Sequence, residues 1–197
     1  YIIRLSHVVK KIDIYTSLES TNEQAEYARD GLNYDKWLTN INRLLKETNV
    51  TVAVMTTVNI LSLPSFSNFI DVIMQLRKTY NKSFEYNRIP ISINYLRWPP
   101  HLQCTLLDKE SRQVFADHIE TVCESWLKYN SPEKYARLYL EEFDQIKRFC
   151  EYLKSTSPAL EYRVDFVRYI IEYDKRRGKN FVETFPEYKD LLEEWND

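Results

Sequence analysis

The rhythm of apolar and polar residues changes partway along the chain. Up to residue 107, three runs have the composition and period of strands: KIDIYTSL at 11–18, NVTVAVMTTVNI at 49–60 and IPISINYLRW at 89–98, the last closed by Pro99-Pro100. The stretch between the first two contains YDKWLTNINRLLKE, where Trp37, Leu38, Ile41, Leu44 and Leu45 fall on one helical face. Between the second and third, Phe69, Val72, Ile73 and Leu76 make a similar stripe, with Ser65 after Pro64 as the expected N-cap. Strand, helix, strand, helix, strand predicts a parallel sheet with right-handed crossovers.

Beyond residue 107 helical periodicity takes over. It predicts helices over 109–129, 132–154, 158–177 and 186–195, with Ser131-Pro132 and Ser157-Pro158 each placing a hydroxyl before a proline at the first helical position. Gly178 follows DKRR, where a C-terminal glycine and last-turn cations are both favoured. The expected organisation is an α/β part over 1–107 and a helical extension over 108–197. The opening YIIRLSHVVKK reads as a helix already under way, as in a piece of a longer protein.

Charge and composition narrow the function classes. Lys and Arg number 27 against 29 Asp and Glu, intermixed along the helices, which disfavours nucleic-acid binding through bulk charge. The 15 tyrosines lack an accompanying basic stripe, so they read as packing residues rather than base-stacking platforms. No apolar run approaches the roughly 20 residues of a membrane-spanning helix, and no signal peptide opens the sequence. A soluble cytoplasmic protein is expected. Cys104, Cys123 and Cys150 are far apart and form neither a metal-binding pair nor a disulfide framework, so they read as buried thiols.

Ligands of parallel sheets bind beyond the carboxyl ends of the strands. The residues there are Ser17, Glu19, Ser20 and Thr21 after the first run, Thr57, Asn59 and Ser62 after the second, and Arg97, His101 and Gln103 after the third. With glycine only at 31 and 178, a phosphate-cradling loop is ruled out, as is a nucleophile elbow. His7, His101 and His118 are isolated from one another. Glu19 and Glu26 are candidate acid–base residues, Glu19 the stronger because it directly follows a strand, whereas Glu26 reads more as a surface carboxylate. Other readings leave Arg29 paired with Glu26 or Asp30 on its own helix and Asn59 closing a turn.

The stretch SLESTNEQAEYARDGLNYDKWLTNINRLL resembles radical S-adenosylmethionine (radical SAM) proteins of the branch that carries SPASM or twitch domains. There the fourth barrel strand ends in Ser-hydrophobic-Asp, followed by a loop, an EYiR.G motif and a helix with an aromatic residue and N(I/L). The counterparts here are Ser17-Leu18-Glu19, Glu26-Tyr27, Arg29, Gly31, Trp37 and Asn40-Ile41. MTTVNILSLPSF is similar to the fifth strand and its exit loop, PPHLQCTLLDKESR to the segment after the sixth, and FVRYIIEYDKRRGKNFVETFPE to the ending of twitch-type relatives.

This resemblance implies the later half of a partial, TIM-barrel-like (β/α)6 barrel followed by a helical extension. It implies S-adenosylmethionine (SAM) as ligand, with Ser17 and Arg29 on its methionyl carboxylate. Glu19 stands in place of the family's Asp toward the ribose or amino group, Asn59 is placed near the ribose, and residues 96–102 flank the adenine. The family's [4Fe–4S] cluster sits on a CxxxCxxC loop that this chain does not contain. The chain is therefore expected to be inactive as given, with the cluster ligands elsewhere in the full-length protein. The substrate class implied by analogy with SPASM-type relatives is a peptide. The rival expectations are a non-catalytic α/β plus helical protein-interaction module and a different barrel enzyme using Glu19 as base.

Overall fold

In the computed structural model, which describes residues 2–83, 85–128 and 135–196, the three strand-like runs form strands β1 (Asp13–Ser17), β2 (Thr51–Val58) and β3 (Ile91–Tyr95). They make one parallel sheet in the order β1-β2-β3, with Ser17 opposite Met55 and Thr57 opposite Asn94. Around them lie helices α1 (Ile2–Ser6), α2 (Asn22–Ala28), α3 (Tyr34–Glu47), α4 (Phe66–Tyr80) and α5 (Lys109–Lys128). The remainder are α6 (Leu140–Ser155), α7 (Arg163–Arg177), α8 (Phe181–Thr184) and α9 (Lys189–Asn196). The expected βαβαβ order is present, and residues on both sides of position 107 share one continuous core.

Period-two alternation splits the sheet into unlike faces. Val52, Val54, Thr56 and Val58 are buried with Ile91 and Ile93, and the Trp37 indole of α3 reaches this side to donate to Thr16 Oγ1 at 2.9 Å. On the other face Tyr15 is 71% exposed and Met55 38%, and Ser17, Thr57 and Asn94 are exposed as well. Parallel sheets usually bury both faces. Here, among the described residues, the helices cover one.

The two edges differ as well. Thr51 N–H donates to Ile12 C=O and Leu18 N–H to Met55 C=O, so the even-numbered residues of β1 turn their peptide groups toward β2. Asp13, Tyr15 and Ser17 point theirs outward, to an edge that no described residue caps. At the opposite edge α6 closes β3: Ile91 N–H donates to Glu142 Oε1 at 3.1 Å and Ile93 N–H to Gln145 Oε1 at 2.7 Å.

Several helix starts depart from the sequence expectation. Ser65 does occupy the N-cap position of α4, but its hydroxyl makes no capping bond and instead accepts the Thr21 N–H at 3.3 Å. Ser131 and Pro132 lie outside the described residues, and α6 begins at Leu140, where the Glu142 carboxylate turns back to the Tyr139 N–H at 3.1 Å. The segment at Ser157-Pro158 does not open α7, since Ala159 N–H is held by Thr105 C=O at 2.8 Å; a 3-10 turn, Leu160–Tyr162, intervenes before the helix. Pro186 likewise starts a 3-10 turn, Pro186–Tyr188, ahead of α9. Gly178 does end α7 in the left-handed conformation, with φ 61°.

Two buried arginines tie the layers together. Arg77 of α4 forks onto Glu142 and also donates to Ile89 C=O. Among the described residues Arg88 has no carboxylate in contact; it donates to the carbonyls of Leu45, Thr48, Val50 and Tyr80, three of which belong to the ends of α3 and α4, where the helix dipoles are negative. Burial pulls the pKa of this guanidinium below its usual value.

Candidate functional site

At the carboxyl end of β1 the chain leaves the open face and turns into the core. Ser17 is exposed, whereas Leu18, Glu19 and Ser20 are buried. Seven residues of α2 then separate this turn from Arg29, whose backbone caps the helix by donating to Ala25 C=O. The helix brings the two ends of the loop together. Arg29 Nε lies 3.1 Å from Glu19 Oε1 and Nη2 lies 2.6 Å from Oε2, a two-pronged ion pair in which Glu19 is 3% exposed and the Arg29 side chain 37%. A planar guanidinium matches a carboxylate in this way where lysine would not.

This pairing differs from both expectations for Arg29. Glu26 accepts the Tyr34 N–H at 2.8 Å and so caps the start of α3, while Asp30 pairs with Arg177 at 2.5 Å. Neither takes Arg29. The Nε–Nη2 edge of Arg29 is occupied by Glu19, and Nη1 makes no hydrogen bond with a described residue. Glu19 is a structural partner of Arg29, with both oxygens engaged, which is poorly suited to acting as a free base.

Asn59 closes its own turn. Its Oδ1 accepts the Leu61 N–H at 2.9 Å and its Nδ2 donates to Thr57 C=O at 3.2 Å, while Ser62 Oγ receives the Asn59 N–H at 2.9 Å. Thr21 is buried against Ser65, and the Ser20 hydroxyl is buried with no hydrogen-bond partner among the described residues. After β3, Arg97 lies 5.3 Å over the Tyr95 ring, Gln103 holds Arg97 C=O at 2.6 Å, and His101 packs 5.3 Å from Tyr169. Trp98 stands 78% exposed at this rim.

The strand-end polar residues therefore fall into two groups. Ser17 and Thr57 share the open face, joined by Asn94 and Ser92, with Arg29 beside the loop that follows Ser17; Asn59, Ser62 and Thr21 are spent on loop geometry. The open face also carries Tyr15, Ala53 and Met55, none of them charged, and at the start of β1 Asp13, whose carboxylate pairs with Lys11 at 2.9 Å. Asn94 was not singled out by sequence reasoning. The alternation of ISINY places it opposite the buried Ile91 and Ile93, and that signal identifies it.

Among the described residues no three His, Cys, Asp or Glu side chains are grouped to hold a metal ion, and no helix is long and apolar enough to cross a membrane. Cys104, Cys123 and Cys150 are buried free thiols. Comparison with protein-family models, with curated proteins and with solved structures gives no match.

Proposed function

We propose that this chain supplies the SAM-binding side of a radical SAM enzyme, as the last three strands of a partial (β/α)6 barrel with a helical extension. The unequal finish of the sheet edges carries this reading. β3 is closed by Glu142 and Gln145, as a terminal strand requires, while among the described residues β1 keeps unpaired peptide groups at Asp13, Tyr15 and Ser17 and one sheet face is left without helices. Strands four to six of such a barrel have these needs: one edge continues, the other ends, and the uncovered face is turned inward.

In this reading the hydroxyl of Ser17 and the free Nη1 of Arg29 receive the methionyl carboxylate, and Glu19 aims the guanidinium from behind. SAM, when bound, supplies a sulfonium carbon–sulfur bond for reductive cleavage. The cysteines of this chain do not fit an iron–sulfur cluster: they are scattered and buried, and burial pushes their thiols up, to about 12 at Cys104 and Cys150. Cluster ligands belong to other residues of the enzyme, and the role of these residues is to hold SAM. Toward the carboxyl ends of the strands the open face is uncharged, Asp13 lying at the opposite end of β1 and paired with Lys11, which favours a neutral substrate surface such as a peptide backbone.

The test is SAM affinity by calorimetry in the cluster-loaded holoenzyme that contains this chain. Arg29→Ala removes a charge-assisted contact and is expected to weaken binding by roughly tenfold or more at unchanged iron content. Unchanged affinity would remove Arg29 from the site.

A further inference from the structure

The segment that closes the chain holds α2 from outside at almost every turn. A helix of seven residues is marginal by itself. Tyr27 Oη donates to Asp174 Oδ1 at 2.7 Å, Tyr173 Oη donates to Tyr27 C=O at 2.7 Å, and Lys179 Nζ donates to Glu26 C=O, so α7 and its exit loop satisfy the last carbonyls of α2. Gln24 donates to Thr184 C=O at 3.3 Å and Glu187 Oε1 at 2.7 Å. The Tyr27 ring is enclosed by Tyr173, Phe181 and Phe185 at centroid distances of 5.1, 5.8 and 5.2 Å. Burial, with the Asp174 hydrogen bond second, raises the Tyr27 pKa far above the usual phenol range, so the hydroxyl stays a donor.

Asp174 is the centre of this clamp. Its Oδ1 takes the Tyr27 hydroxyl while its Oδ2 takes the Phe181 N–H at 2.8 Å, so one carboxylate joins α2 to the turn between α7 and α8. Arg177, three residues on, reaches Asp30. The ends of α2 are also the ends of the Glu19–Arg29 fork: Glu19 lies three residues before the first residue of the helix and Arg29 directly follows its last. Whatever fixes α2 along its axis fixes the separation of those two side chains.

We propose that Asp174 is a positioning residue for the Glu19–Arg29 pair, acting through Tyr27, so that the helical extension sets the geometry of the strand-end site. The fork alone holds the guanidinium by two bonds to a loop. The clamp makes that loop and helix rigid, so Nη1 is presented in one direction. The inference rests on the proposed SAM reading only for its functional consequence, not for the coupling itself.

The test follows the Arg29 Nε–Hε resonance by 15N NMR in Asp174→Asn, which cannot accept from both partners, and in the milder Tyr27→Phe. Faster Hε exchange at Arg29, by about tenfold in the first and less in the second, is expected from local opening of α2. The Arg88 Nε–Hε signal, buried in a distant carbonyl cage, should stay unchanged. Unchanged Arg29 exchange in both variants, or an equal rise at Arg88, would overturn the coupling. SAM calorimetry on the same holoenzyme variants separates the two readings: disturbed Arg29 exchange with SAM affinity lost by several-fold supports both, whereas disturbed exchange with unaltered affinity leaves the coupling standing and removes the SAM role.

Discussion

Arg77 and Glu142 are joined by two hydrogen bonds, Nη2 to Oε1 at 2.6 Å and Nη1 to Oε2 at 2.8 Å, in a place where the arginine side chain is wholly buried. The pair ties α4 to α6, and Glu142 Oε1 also terminates the edge of β3 through Ile91 N–H. Removing one partner leaves a buried charge without its counterion. Glu142→Ala is expected to cost roughly 3–5 kcal/mol of stability, read as a lower urea midpoint. The double variant Arg77→Met with Glu142→Leu should recover part of that loss, because it removes both charges. A double variant less stable than Glu142→Ala would show that the bonds of Arg77 to the Ile89 and Arg137 carbonyls outweigh the relief of its unpaired charge.

The buried thiols give the protein an alkaline limit. Burial pushes Cys104 and Cys150 up to about 12 from the ordinary 9.0, so in the folded chain they remain protonated where the unfolded chain ionises. A raised pKa of this kind contributes stability that is complete below pH ~9 and is lost as pH climbs toward ~12, at up to about 1.4 kcal/mol per pH unit for each thiol. Urea unfolding at pH 8, 9.5 and 10.5 should show a falling midpoint. Cys104→Ala should flatten that slope; an unchanged slope would place the alkaline sensitivity elsewhere.

Gly178 ends α7 with φ 61°, and a Cβ built there would meet nothing within 4 Å. The cost of substitution is therefore backbone conformation and not crowding. Gly178→Ala is expected to lose about 1 kcal/mol, and Gly178→Asn less, because asparagine tolerates the left-handed region. Thermal melts of the two variants check the order. Equal losses would argue that the turn rearranges.

Much of the fold was legible because strands and helices differ in period. VAVMTTV alternates and becomes β2, and the stripe at Phe69, Ile73 and Leu76 is the buried face of α4. The 3-10 turns ahead of α7 and α9 and the start of α6 were not legible. A serine before a proline is a local signal, but the Ala159 N–H finds Thr105, more than fifty residues earlier in the chain, and that distant acceptor delays α7. Ser65 shows a related competition: it stands at the N-cap of α4, but its hydroxyl accepts the Thr21 N–H and makes no bond to its own helix.

The sequence by itself determined the order of elements, the near-balance of charge, the lone cysteines and the strand-end polar residues from which any site must be drawn, since each is set by composition or by neighbours a few positions apart. Only the tertiary structure decided that Arg29 answers Glu19 instead of Glu26 or Asp30, that Asn59 is consumed by its own turn, and that Asp174 reaches Tyr27 across 147 positions. Partner choice among several equally suitable carboxylates depends on which one the packed helices bring within about 3 Å, and no local pattern carries that distance.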